Sequence, residues 1–200
     1  VPGILVLLAV ISQFNAQISG DVTSGASPLI INEFMVLPTA STTQLSGQWV
    51  EIHNRSQDWV NLSGWTLQNH AGDVHTFGTY MLPPEGYFVL GANPVYNENG
   101  GYTPNGVWSD FVLSRYGELT LYSPGRDYAD MVDWDGSWPV ENGASCERIN
   151  PGWESGISSS WGASQTAFGL GDLGTPGEQN SIYSNSFAQN SWAFIKAFIN

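Results

Sequence analysis

The stretch GQWVEIHNRSQDWVNLSGWTLQN, Gly47 to Asn69, sets three tryptophans and a glutamate inside a short-period pattern. Val50 and Ile52 fall on one side of an extended chain and Trp49, Glu51 and His53 on the other, the two-residue alternation of a β-strand. A turn over Arg55 to Asp58 interrupts the run, after which Trp59, Val60, Leu62 and Trp65 resume it. Both faces carry large side chains. The indoles of Trp49, Trp59 and Trp65 are therefore expected to fill the gap between two sheets and not to line a reaction chamber.

The same kind of run recurs from Pro28 onward: PLIINEFMVL, VHTFG, GYFVLGAN, DFVLS, GELTLYS, DYADMVDW and GASCERI. Turn residues separate them, as in Pro83-Pro84-Glu85-Gly86 and Ser123-Pro124-Gly125, at the spacing of an all-β sandwich. The Asn-rich loop from Asn93 to Ser109 is the longest and is expected to be a mobile surface element. Past Asn150 the chain is rich in Gly and Ser, yet Trp153 and Trp161 need burial. That segment is expected to wrap the sandwich, with a closing strand near Ser160 to Ala163. A sustained helical period is absent outside the last nine residues, and no repeat of constant period occurs.

Composition agrees. The 200 residues hold nine Trp, eight Tyr, nine Phe, 23 Gly and 11 Pro, the profile of short strands joined by tight turns within one domain. Net charge is −13, and the only bases, Arg55, Arg115, Arg126, Arg148 and Lys196, are scattered. Nucleic acid and anionic membranes bind through clustered bases, so neither is expected as a partner. Cys146 is the only cysteine, so an intrachain disulfide is impossible, and a buried, inert thiol is expected.

The ends are apolar. Residues 1–17 resemble a signal peptide, with a run from Ile4 to Ile11 too short to span a bilayer and a cut expected after Ala16 or Gln17, although no base precedes the run. If retained, that run would pair with a neighbour. Residues 18–27 read as a linker, 28–180 as the sandwich, and 181–200 as an extension ending in WAFIKAFIN. The apolar tip from Trp192 to Ile199 is expected to dock on its own sheet or on another chain.

The order INEF, GQWVEIHNRS, VNLSGWTLQN, HTFG, LPPEGYFVLG, GELTLYSP, DMVDW, SWP, GASCERINP and SSSWGAS…GTPGEQN resembles the lamin-tail domain family over Pro28 to about Asn180. The resemblance implies an immunoglobulin-like β-sandwich that binds or builds without an active site. It further implies a bacterial-type secreted or surface protein, because no heptad run precedes Pro28. In that pattern Trp65, Tyr87 and Trp134 are core or strand aromatics, Trp138-Pro139 pins a turn, and Asn32 and Asn54 are turn or bulge residues bonding backbone.

Several residues invite chemistry. Glu33 and Glu51 would approach each other if their strands pair, as in acid/base catalysis, but bonds to backbone amides or Arg fit the family pattern better. Asp127, Asp130, Asp133 and Asp135 invite Ca²⁺, yet in a strand Asp130 points away from the rest. Asp133 and Asp135, near a turn, are left as the metal candidates. His70, Asp73 and His75 lack the spacing of a helix-borne zinc pair, and GLGDLG follows no βαβ unit, so it is a loop. Asn54-Arg55-Ser56 and Asn61-Leu62-Ser63 are N-glycosylation sequons.

The sequence thus points to a secreted, extracellular or cell-surface module with no catalytic residues and no required cofactor. Its partner is a protein or a surface polymer. One alternative is a filament or envelope subunit joined by strand addition through Ile4, Ile11, Trp192 and Ile199. Another is a small hydrolase or Ca²⁺-dependent carbohydrate binder in which an exposed Trp108 stacks on sugar rings.

Overall fold

A computed structural model describes residues 27–185. The apolar runs at residues 4–11 and 192–199 lie outside the described residues. The described chain forms twelve strands and one short 3-10 turn. In chain order the strands are β1 (Leu29–Met35), β2 (Trp49–Asn54), β3 (Val60–Asn61), β4 (Thr66–Asn69), β5 (Val74–Thr76) and β6 (Met81–Leu82), then β7 (Tyr87–Gly91), β8 (Gly106–Val107), β9 (Gly117–Tyr122), β10 (Tyr128–Trp134), β11 (Cys146–Arg148) and β12 (Trp161–Ala163). Six of them form one sheet in the order β12-β11-β1-β2-β7-β8, and four form a second, β10-β9-β4-β5. β3 and β6 pair on their own at the side. All pairings are antiparallel except β7 with β8. This is the immunoglobulin-like sandwich that the resemblance implied.

β1 explains how the layers are built. All seven of its residues are buried, because both faces of the six-stranded sheet are covered. Its register against β2 shifts between Ile31 and Glu33, so Asn32 sits in a bulge. The extra residue reverses which parity faces inward. Leu29 and Ile31 before it, and Phe34 and Val36 after it, enter the main core between the sheets. Glu33 and Met35 are left on the opposite face, and Met35 joins Trp49, Val89 and Tyr102 in a second, smaller cluster under Phe168. In the main core, Phe34 lies 4.8 Å from the Trp134 ring and 5.4 Å from that of Trp161.

Trp49 and Trp65 are buried as expected, but Trp59 is 61% exposed. The correction has a local cause. Trp59 precedes β3, which pairs only with β6; Val60 and its partner Leu82 point to the core, and alternation turns Trp59 outward. Trp108 is likewise corrected, because it is buried against Phe111 and not available to a sugar. The loop that holds it is anchored: Tyr102 donates to the Gln48 carbonyl at 2.9 Å, Asn99 caps its own turn, and β8 extends the sheet.

The Gly/Ser-rich segment wraps the sandwich and contributes β12. Residues 164–182 run over the outer face of the six-stranded sheet as a strap. Its first half is pinned by Asp172, whose carboxylate accepts from the amides of Thr39 and Ala40 and from the Thr39 hydroxyl. Among the described residues, no helix is long and apolar enough to cross a membrane.

Candidate functional site

β2, β1 and β11 lie side by side and set three glutamates in a row: Glu51 opposite Glu33, and Glu33 opposite Glu147. None is measurably exposed. Buried carboxylates need donors, and the strap delivers them. Thr175 gives its amide to Glu33 at 2.9 Å, Gly177 its amide to Glu51 at 2.6 Å, and Ile182 its amide to Glu147 at 3.1 Å. Side chains complete the set. Ser145 donates to Glu33 Oε1, Asn32 to Glu51 Oε1, and Ser181 to Glu147 Oε2. Among the described residues, no Arg or Lys bonds to the row.

One contact counts protons. Thr175 Oγ1 lies 2.8 Å from Glu33 Oε2 and 3.0 Å from Glu147 Oε1. A hydroxyl has a single hydrogen, so it can donate to one of these oxygens only. The other carboxyl must carry a proton and donate to the hydroxyl, or two oxygens would face each other unbridged in a buried site. Electrostatics agrees: burial, and then the neighbouring Glu147, push Glu33 up to about 8. Burial and Glu33 hold Glu51 well above the usual carboxylate range.

The second buried polar group ties the sheets together. Asp130, on β10 of the four-stranded sheet, accepts from the Ile31 amide at 2.9 Å, from Arg148 Nη1 at 2.8 Å and from the Ser155 hydroxyl at 2.6 Å. Arg148 continues to the Ile31 and Trp153 carbonyls. A small polar hollow of about 70 Å³ lies nearby, lined among others by His53, Tyr87 and Arg148. His53 stacks on Tyr87 at 4.6 Å, and burial lowers its pKa to about 4, so it is neutral.

The remaining candidates do not converge. Asp133 and Asp135 are exposed, and Asp135 accepts from the amide and hydroxyl of Ser137. Asp130 is buried away from both. Asp73 accepts from Asn69, His75 packs edge-on against Phe77, and His70 is exposed on the turn. Among the described residues, no group of three or more His, Cys, Asp or Glu is placed to hold a metal ion. Cys146 is buried, and burial raises its thiol pKa well above the usual range. Asn32 bonds Glu51 and Asn180 and not its own backbone.

The sequence model of the Lamin Tail Domain matches residues 23–136. The chain belongs to the lamin tail domain family. Among curated proteins, none matches it. The matched stretch of the lamin tail domain contains Glu33 and Glu51, while Glu147, β11, β12 and the strap lie beyond it. β11 nevertheless pairs directly with β1, so the folded lamin tail domain extends past the match. Sequence reasoning missed Glu147 for this reason: GASCERI reads as a strand, but the register that sets Glu147 against Glu33 joins residues far apart in the chain. Thr175-Pro176-Gly177 lies in the Gly/Ser-rich stretch that the sequence marks only as a wrapping segment, with no sign that its amides serve glutamates.

Proposed function

We propose that this lamin tail domain is a secreted or surface-exposed binding and structural module that performs no chemistry of its own. The observation that carries the reading is the state of its buried carboxylates. Glu33, Glu51 and Glu147 are the residues best suited to acid/base work, and their oxygens are occupied by donors from the strap and its surroundings. A substrate has no path to them while the strap is in place. The outer surface offers recognition instead. Trp59, Met81 and Pro83 share the outward face of the small β3–β6 ladder, with Trp59 61% and Met81 50% exposed. Exposed indole beside thioether is a surface suited to a protein or surface polymer. Binding is tested by immobilising the chain against a panel of cell-wall polymers, glycans and envelope proteins, with and without Ca²⁺. A ligand lost in Trp59→Ala, with unchanged circular dichroism, supports the module. Turnover of any polymer in the panel would overturn it.

A second reading, assembly through the apolar ends, has its own support. Arg55 donates to the Ser27 carbonyl and to the Pro151 carbonyl, and Asn150 donates to the Ser184 carbonyl. The two ends of the described chain, at Ser27 and Ser184, therefore lie at the same end of the sandwich. Light scattering on the full chain and on a chain shortened by its last nine residues tests this. Assembly that survives neither truncation nor dilution favours it, and a monomer in both forms removes it. Mass spectrometry of the native N-terminus tests export.

A further inference from the structure

We infer that residues 175–182 are a latch on the outer face of the six-stranded sheet, held closed by one proton that Glu33, Thr175 and Glu147 share. The geometry supplies the proton. Thr175 Oγ1 stands between Glu33 Oε2 and Glu147 Oε1 at 2.8 and 3.0 Å, and its one hydrogen serves only one of them. The remaining oxygens already receive donors: Glu33 Oε1 from Ser145 and the Thr175 amide, Glu147 Oε2 from Ser181 and the Ile182 amide. The proton therefore lies on the Glu33–Thr175–Glu147 line. Glu51 stands apart from this line: both groups bonded to it, the Asn32 side chain and the Gly177 amide, are donors.

The groups around this line offer no substitute for the proton. Cys146 on β11, Glu51 and His53 on β2, Tyr87 on β7, and Glu178 and Tyr183 on or beside the latch are the titratable neighbours. His53 is neutral near pH 7, because burial lowers it to about 4. Among the described residues no cation faces the row. Loss of the proton leaves Glu33 and Glu147 as adjacent buried anions, and separating the latch from the sheet admits the water they then require.

The latch is separable from its anchor. Asp172 fixes the preceding turn to Thr39 and Ala40, and Leu173 pairs with Gly143 and Ser145, contacts that do not involve the glutamates. Beyond Gly174 the hold passes to the row and to Asn180, whose side-chain amide donates to the Asn32 and Arg148 carbonyls. Thr175 and Pro176 also line an open groove with Tyr102 and Phe168, so water already reaches the outer side of the latch. Opening would bare the row, whose three glutamates are fully buried while the latch is closed.

Hydrogen exchange on the full, isotope-labelled chain tests the proposal. The opening constant at the amides of Thr175, Gly177 and Ile182, corrected for intrinsic exchange, is expected to rise about tenfold between pH 6.5 and 7.5, one proton being released per opening. Core amides of β9, such as Leu119 and Leu121, should not share this local rise. In Glu147→Gln the side-chain amide donates to Thr175 Oγ1 in place of the proton, and the rise should shrink to about threefold or less. Glu33→Gln makes the same replacement from the other side if the first variant fails to fold. Calorimetric unfolding of the wild type at pH 7, in buffers of different ionisation heat, should show release of at least one proton. An opening constant equal at both pH values, a rise shared equally by the β9 amides, or unfolding without proton release would overturn the latch.

Discussion

Asn54 and Asn61 carry the same type of sequon and lie in opposite environments. Asn54 ends β2 with no measurable exposure, and its Nδ2 donates to the Asp58, Leu82 and Pro83 carbonyls. It is the clamp that closes the turn after β2, and a sugar would take one of that nitrogen's two hydrogens and has no room among the three carbonyls around it. Asn61 is exposed on β3, where its Oδ1 accepts from the Ser63 amide and its Nδ2 bonds no described residue. Two residues before it, Trp59 lies on the same outward face. When the chain is produced through a glycosylating secretory route, the folded fraction is expected to carry one N-glycan, at Asn61. Peptide mass mapping after endoglycosidase treatment reads this directly, and a glycan at Asn54 in soluble, folded protein would contradict the structure. Trp59 also marks the limit of residue-level reading. Its apolar character is visible in the sequence, but which side of a two-residue ladder faces the core is not.

At the scale of elements, the seam between β10, β1 and β11 depends on one carboxylate. Asp130 sits at a register shift in β10, between Tyr128 and Asp130, which turns it toward the other sheet. There it joins the β1 backbone, the Arg148 side chain of β11 and the hydroxyl of Ser155. Removing a buried partner strands the opposite charge, so Asp130→Ala is expected to cost about 3–5 kcal/mol in urea denaturation. The double variant Asp130→Ala with Arg148→Met should lose less than the sum of the two single variants, because no uncompensated charge is left behind. Additive losses would show that the pair is not coupled. The Asp-rich run RDYADMVDWDGSW suggested a cation site by composition. The fold separates it by function: Asp130 turns inward as a tie, and Asp133 and Asp135 remain on the surface.

At the scale of the molecule, three buried groups, Glu33, Glu51 and His53, set the pH window of stability. Glu33 rises from 4.5 to about 8 on folding, chiefly by burial. A raised carboxyl favours the fold fully below the unfolded value, and the contribution is lost as pH climbs toward 8. His53 falls from 6.5 to about 4, again by burial. A lowered imidazole contributes above 6.5 and is lost as pH drops through 4. Between 4.5 and 6.5 the Glu33 and His53 slopes oppose each other, and Glu51, raised in the same direction as Glu33, tips the balance toward decline. From 6.5 to about 8 the His53 slope is gone and the carboxyl slope of Glu33, with Glu51 raised in the same direction, remains, so the free energy of unfolding should decline by at least on the order of 1 kcal/mol per pH unit. Urea denaturation at half-unit intervals checks this. A profile that rises from pH 6.5 to 8 would show that Glu33 is ionised in the folded chain.

Alternation, turn residues and aromatic mass determined the sandwich, because a strand's two-residue period and the φ demands of Gly, Pro and Asn are local properties. They also placed β1, β2, the closing strand at Trp161 and the buried thiol of Cys146. The row Glu51–Glu33–Glu147 and its strap were decided only by tertiary structure. Their assembly rests on the pairing of β1 with β11 and on a bulge at Asn32 that reverses one strand's parity. Those are facts of register between distant segments. A local pattern fixes which way a side chain points from its own strand, whereas the neighbour it meets there depends on how the whole sheet closes.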